Sequence, residues 1–219
     1  MLVLLKKDLQ INHWGIYGGL VLFLSLTYLV TLPPTLLYLL SVFALTFSTY
    51  TYDEKDRVHQ FLVSMPIQRK DIVKSRYLYS VTVAVGVLCL QLILMIVIHF
   101  LFSFNLYLYT WQDIVTLLGI SCLMFAIFTP IFYIVSSTTK AMFYIFILIG
   151  IGTVGLMNEL DRVLSFSNSF ILNDIDSGFA LIIENYFPTL SYVIFILLVS
   201  ILLYSSFLVS NYFFNKRDI

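Results

Sequence analysis

Six long apolar stretches alternate with short polar ones along this chain of 219 residues. A helix rises about 1.5 Å per residue, so about 20 apolar residues cross a bilayer core of roughly 30 Å. Runs of that size occur at about Trp14–Leu32, Thr35–Thr51, Tyr77–Phe102, Ile114–Val135, Ala141–Met157 and Thr189–Phe213. Most lack the polar outer face that a helix of a soluble bundle needs. Pro33-Pro34 separates the first two runs with a tight turn, because neither residue can continue a helix. Pro130 falls inside the fourth run and is expected to kink it, which neighbouring helices can accommodate in lipid.

Three polar intervals add elements of their own. Before the first run, Leu2, Leu5 and Leu9 recur at helical spacing while Lys6, Lys7, Asp8 and Gln10 take other faces. That pattern predicts a short helix lying in the membrane interface. The basic residues follow an apolar start instead of preceding one, so an uncleaved N-terminus is expected. The long interval from Asn158 to Pro188 is only partly polar, with Phe166, Phe170, Phe179, Ile182, Ile183 and Phe187 available for burial. Asp176 and Ser177 can cap a short helix from about Gly178 to Tyr186 that re-enters or lies on the membrane from outside. The third interval, 53–76, is the longest on its side of the membrane. The whole chain, 1–219, then forms a single transmembrane domain: an all-α integral membrane protein with six transmembrane helices.

Composition agrees and charge sets the orientation. The chain is 60% hydrophobic and 17% aromatic but only 11% charged, with a mean hydropathy of +0.97; soluble domains are about a quarter charged. The net charge is zero, yet with six crossings eleven of the twelve basic residues fall on one face: Lys6 and Lys7, Lys55 to Arg76, Lys140, Lys216 and Arg217. Only Arg162 falls on the other. Basic residues favour the cytoplasmic side, so both termini are expected there, in a multi-pass protein of the cell membrane.

The interior offers little chemistry. No acidic or basic residue lies near the middle of a span, as ion-coupled transport usually requires. Gln91 reads as an interhelical hydrogen-bonding group and His99 as a polar tip near the outer end of its span. Cys89 and Cys122 fall in apolar runs and read as small core residues. Gly150, Gly152 and Gly155 match a dinucleotide-binding pattern, but inside a span they favour helix packing or a bend. The Gly15 and Gly19 pair is read the same way. No phosphate loop, zinc motif or basic aromatic stripe is present, so no catalytic residue, metal or bound cofactor is assigned and no nucleic-acid partner is expected.

The interval between the second and third spans carries a mechanism. Val58, Phe61, Leu62 and Met65 share one helical face, Asp53, Glu54 and Asp56 occupy the first turn, and Pro66 ends the helix. A second helix is expected near Gln68, running into the third span. The first is a short amphipathic coupling helix whose apolar stripe either rests on lipid headgroups or fits a groove on a soluble partner.

Tyr52-Asp53-Glu54-Lys55, then Ser64-Met65-Pro66-Ile67, then Arg69-Lys70-Asp71-Ile72-Val73 resemble the cytosolic segment of membrane (permease) subunits of ABC-2 type transporters. Met65 stands in place of the usual Leu and Arg76 where Lys is common. The detailed match covers about 25 residues; the six spans, the N-terminal helix and the large last outer loop extend it. Within that family the chain is similar to staphylococcal exporters of phenol-soluble modulins, small amphipathic peptides. The resemblance implies a permease subunit of an ATP-driven exporter, with ATP and Mg bound by a separate ABC ATPase subunit. It also implies a second copy or a related permease as membrane partner. Glu54, Arg57, Val58, Phe61, Leu62 and Met65 become the docking candidates. The competing expectation is a non-transporting membrane anchor or regulator that uses the same helix.

Overall fold

The computed structural model describes residues 2–12, 14–29, 33–55, 68–102, 108–135, 137–164, 182–186 and 191–216. These form eight helices and, among the described residues, no strand. They are α1 (Leu2–Ile11), α2 (Trp14–Leu29), α3 (Pro34–Lys55), α4 (Arg69–Phe102), α5 (Trp111–Ile134), α6 (Thr138–Leu164), α7 (182–186) and α8 (Ser191–Lys216). Five of them, α3, α4, α5, α6 and α8, are long and apolar enough to cross a membrane. The apolar part of α2, Gly15–Thr27, is shorter than that standard.

Local chemistry sets the helix boundaries. Pro34 opens α3 at the first helical position, where a missing N–H costs nothing. Thr110 and Asp113 form a reciprocal capping box at the start of α5. Helix α5 then continues through Pro130 to Ile134. Helix α4 is one continuous element of 34 residues. At about 1.5 Å per residue it exceeds a bilayer core, so its first turns stand outside the apolar layer as expected from Gln68 onward.

Helices α3, α4 and α5 enclose the largest core cluster, built on Tyr38, Val42, Leu45, Tyr79, Val83 and Leu117. Helix α8 packs along α5 and also touches α4. Helix α6 is the loosest: 11% of its apolar stretch is buried, against 50% for α3. The hydroxyls of Thr46, Thr49, Thr116 and Ser121 bond carbonyls one turn back, so they enter the interior without unpaired donors. The Tyr38 hydroxyl lies 3.3 Å from both the Ala84 carbonyl and the Ser121 hydroxyl, tying α3, α4 and α5 together.

Gln91 is the interhelical group expected. It is fully buried in α4 and its Nε2 donates to the Pro34 carbonyl at 2.6 Å. Side-chain hydrogen bonds between membrane helices contribute about 0.6 kcal/mol on average and at most about 1.7. Gln91→Leu should therefore lower stability by about that amount in thermal unfolding of the detergent-solubilised protein. A loss well above 2 kcal/mol would mean that Gln91 does more than pin α3 to α4.

One expectation changes. The inward stripe of α1 is Leu4, Asp8 and Asn12, whereas Leu5 and Leu9 are half-buried. Asp8 and Asn12, one turn apart, hold this segment on the bundle together with Leu4, which packs with Ile72, Val73, Tyr133 and Phe214. The expected outer-loop helix is described only over 182–186, where Ile183 packs with Phe195 and Val199 of α8; residues 165–181 lie outside the described residues. Glu184 accepts hydrogen bonds from Gln112 Nε2 (2.9 Å) and the Tyr192 hydroxyl (2.8 Å). Trp111 meets Tyr192 edge-on at 4.9 Å, an aromatic pair of the kind found where helices leave the membrane.

Candidate functional site

One end of the bundle gathers the polar chemistry. The start of α1, the end of α3, the start of α4, the start of α6 and the end of α8 meet there, and every described lysine and arginine with a described side chain lies on one of these segments. At its centre are four charged side chains from three helices. Arg76 of α4 is paired with Asp53 at the end of α3, and its other terminal nitrogen is 3.3 Å from Asp8 of α1. Lys7 Nζ lies 3.0 Å from Asp8 and 3.4 Å from Asp53. The guanidinium also sits over the Tyr50 ring at 5.4 Å, and Tyr50 stacks on Phe132 of α5 at 4.1 Å with near-parallel planes. Through this chain of contacts α1, α3, α4 and α5 share one charge cluster.

Its burial is what makes it consequential. Asp53, Asp8 and Arg76 are 0%, 1% and 2% exposed, while the Lys7 side chain is 28% exposed. Two positive and two negative groups cancel, so the cluster carries no net charge into the low-dielectric region. Burial, and after it the neighbouring Arg76, push the Lys7 ammonium below the usual lysine range, against the pull of Asp8. A cluster like this is a poor source of net stability, because desolvation offsets most of the attraction. Its members are nonetheless interdependent, since each one removed leaves a charge buried alone.

One turn after Asp8, Asn12 extends the same polar seam. Its Nδ2 donates to the Tyr79 hydroxyl at 2.9 Å and the Leu45 carbonyl at 3.3 Å, and its Oδ1 accepts from Ser48 at 2.6 Å. Elsewhere at this end, Arg69 Nη1 donates to the carbonyls of Phe214 (3.3 Å) and Asn215 (3.1 Å), where a cation suits the C-terminus of α8. Glu54 accepts from the backbone N–H of Thr138 at 2.9 Å and also from the Thr138 hydroxyl.

The sequence placed Asp53 and Glu54 in the first turn of a separate amphipathic helix. They are instead in the last turn of α3, which runs on to Lys55, because the Arg76 guanidinium gives Asp53 a buried partner there. Glu54 is exposed at the edge of the cluster and directed at α6. Arg57, Val58, Phe61, Leu62 and Met65 lie outside the described residues. Asp8 and Arg76 were not singled out from sequence, although a signal existed. Asp53 falls on the inward stripe of α3 through Thr46, Thr49 and Tyr50, and Arg76 on that of α4 through Ile72, Val73 and Tyr79. A charge that continues an inward stripe beyond the end of an apolar run must find a partner.

Between α3 and α5, next to the cluster, Phe43, Phe47, Phe128 and Phe132 line an aromatic cleft, with ring centroids 5.3–5.8 Å apart. Among the described residues no group of His, Cys, Asp and Glu is arranged to hold a metal.

A family model described as ABC-2 family transporter protein matches residues 3–215, nearly the whole chain. The chain belongs to that family. No curated protein and no solved structure matches it. As an ABC-2 family membrane protein it is a transport subunit, of a kind that usually works with a separate ATPase subunit. The charge cluster sits where α3 ends and α4 begins, on either side of residues 56–67.

Proposed function

We propose that this ABC-2 protein is the permease subunit of an ATP-driven exporter, and that residues 56–67 dock on a separate ABC ATPase. The observation that carries the reading is the placement of Asp53 and Arg76. The segment between them starts and ends on helices locked to each other and to α1 by a buried charge cluster. A push on it is thereby delivered to the bundle as a whole. Phe61, Leu62, Val58 and Met65 supply the apolar stripe for a groove on the ATPase, with Arg57 at its rim, while Glu54 is turned to α6. ATP and Mg belong to that partner.

In this reading the basic end is cytoplasmic, in a multi-pass protein of the cell membrane with both termini inside. Helix α2 makes the sixth crossing. It leaves Asn12, which bonds Leu45 and Ser48 in the basic half of α3, and delivers the chain to Pro33 at the opposite end of α3. Helix α1 lies in the cytoplasmic interface, and α7 belongs to an outer segment that returns to the membrane. A second copy or a related permease completes the membrane part. The cargo class is an amphipathic or hydrophobic molecule, with small cytolytic peptides of the phenol-soluble modulin type as the specific candidate. The aromatic cleft between α3 and α5 supplies an apolar surface for it.

The test is co-expression with an ABC ATPase encoded beside this chain, followed by affinity purification. The wild type should retain the ATPase, and Phe61→Asp should lose it while still inserting in the membrane. Normal complex formation by Phe61→Asp would remove the docking role. A complex that hydrolyses ATP in vesicles but exports no amphipathic peptide would assign the chain to anchoring or regulation.

A further inference from the structure

Asp53 and Glu54 are neighbours in the last turn of α3, yet they serve different helices. Asp53 is buried against Arg76 of α4 and Lys7 of α1. Glu54, about 100° further round the helix, reaches Thr138 at the start of α6, 84 residues away in sequence. Ser137 provides the first carbonyl of α6, accepting from Ala141 N–H at 3.0 Å. The N–H of Thr138 has no partner within its own helix, as for any first-turn residue, and Glu54 fills that vacancy from outside. A carboxylate also suits the positive end of the helix dipole.

The rest of α6 gives this contact its weight. Its apolar stretch is 11% buried. A Cβ added at Gly150, Gly152 or Gly155 would meet nothing within 4 Å, so among the described residues no close packing is made at these glycines, which were expected to serve packing or a bend. Near its start only Ala141 and Ile145 are buried. Over Thr138–Gly155, helix α6 is therefore lightly attached and is pinned by hydrogen bonds at its start.

We propose that Glu54 is a positioning residue that makes the start of α6 follow the end of α3. Residues 56–67 leave α3 just after it. A displacement of that segment is thus divided at one turn of helix, reaching α1 and α4 through Asp53 and α6 through Glu54. This second step rests on the docking reading above; the tie itself does not.

The two are separable by spin-label distances in lipid nanodiscs, with Cys89 and Cys122 replaced by alanine. Labels at Lys55 and Lys140, both exposed, span the contact. The wild type should give one narrow peak, Glu54→Ala should lose it, and Glu54→Gln, which keeps an acceptor oxygen for both donors, should restore it. A peak in Glu54→Ala identical to wild type would overturn the tie. A second pair, Leu108 and Lys140, reads α6 against the opposite end in the complex with the ATPase, with and without ATP and vanadate. Nucleotide should shift this distance in the wild type and leave it unchanged in Glu54→Ala. An equal shift in both would overturn transmission through Glu54. No shift in either, with the first pair behaving as expected, would defeat the docking reading and leave the tie standing.

Discussion

Replacing Arg76 with leucine should be the most damaging single change at the basic end, with a loss of about 3–5 kcal/mol. The substitution preserves bulk and helix propensity but removes the only group that contacts both Asp8 and Asp53 from α4. Both carboxylates are at most 1% exposed, so water cannot replace the guanidinium. Lys7 remains, but its single ammonium cannot reproduce the bonds of a planar fork. Folded proteins are stable by only about 5–15 kcal/mol, so such a loss should appear as a large drop in unfolding temperature and in folded yield after solubilisation. Asp53→Asn should be milder, because the amide keeps a hydrogen-bond acceptor for Arg76. The decisive comparison is the triple variant Asp8→Leu, Asp53→Leu, Arg76→Met, which removes the three fully buried charges together and leaves only the part-exposed Lys7. Buried charge clusters replaced whole by apolar side chains often lose nothing, so the triple variant should recover much of the stability lost by Arg76→Leu. If Arg76→Leu alone melts like the wild type, the cluster is not a constraint on α1, α3 and α4, and the route proposed from residues 56–67 into the bundle loses its basis.

The contrast between what the sequence disclosed and what it concealed follows from the same physics. Membrane spans are legible because an apolar run of the right length has few alternatives in lipid, and all five helices that qualify by length lie where hydropathy put them. The first apolar run is described over Trp14–Leu29, and its apolar helix, Gly15–Thr27, is shorter than those five. Gln91 was readable as an interhelical tie because a lone amide in an apolar run must bond to something. The charge cluster was not, because Asp8, Asp53 and Arg76 lie at the flanks of spans, where charged residues are ordinarily solvated, and only their place on the inward stripes sets Asp53 and Arg76 apart. Their pairing depends on three helix ends converging, which no local pattern specifies. The ends of elements were blurred likewise. Asp53 and Glu54 suit the first turn of a new helix as well as the last turn of α3, and only a buried partner 23 positions further on favours the second.

At the α5–α8 contact, Gly119→Leu should destabilise the bundle by about 1–3 kcal/mol. Among the described helices this is the most extensive pairing, and without a hydrophobic drive between helices in lipid its strength comes from close packing. A Cβ added at Gly119 would clash with the edge of the Phe195 ring. The ring cannot simply move aside, because Phe195 is 7% exposed and packed with Ile183 and Val199. Displacing it would press on α7 and on the Glu184 contacts to Gln112 and Tyr192. Phe195→Ala should also destabilise, by opening a cavity against the same glycine. The two changes together should cost less than their sum, since the leucine then occupies space the ring has left. A double-mutant cycle read by thermal unfolding measures that coupling. Strictly additive losses would mean that α5 and α8 are held by contacts elsewhere along their length, and that Gly119 was placed there for some reason other than the ring.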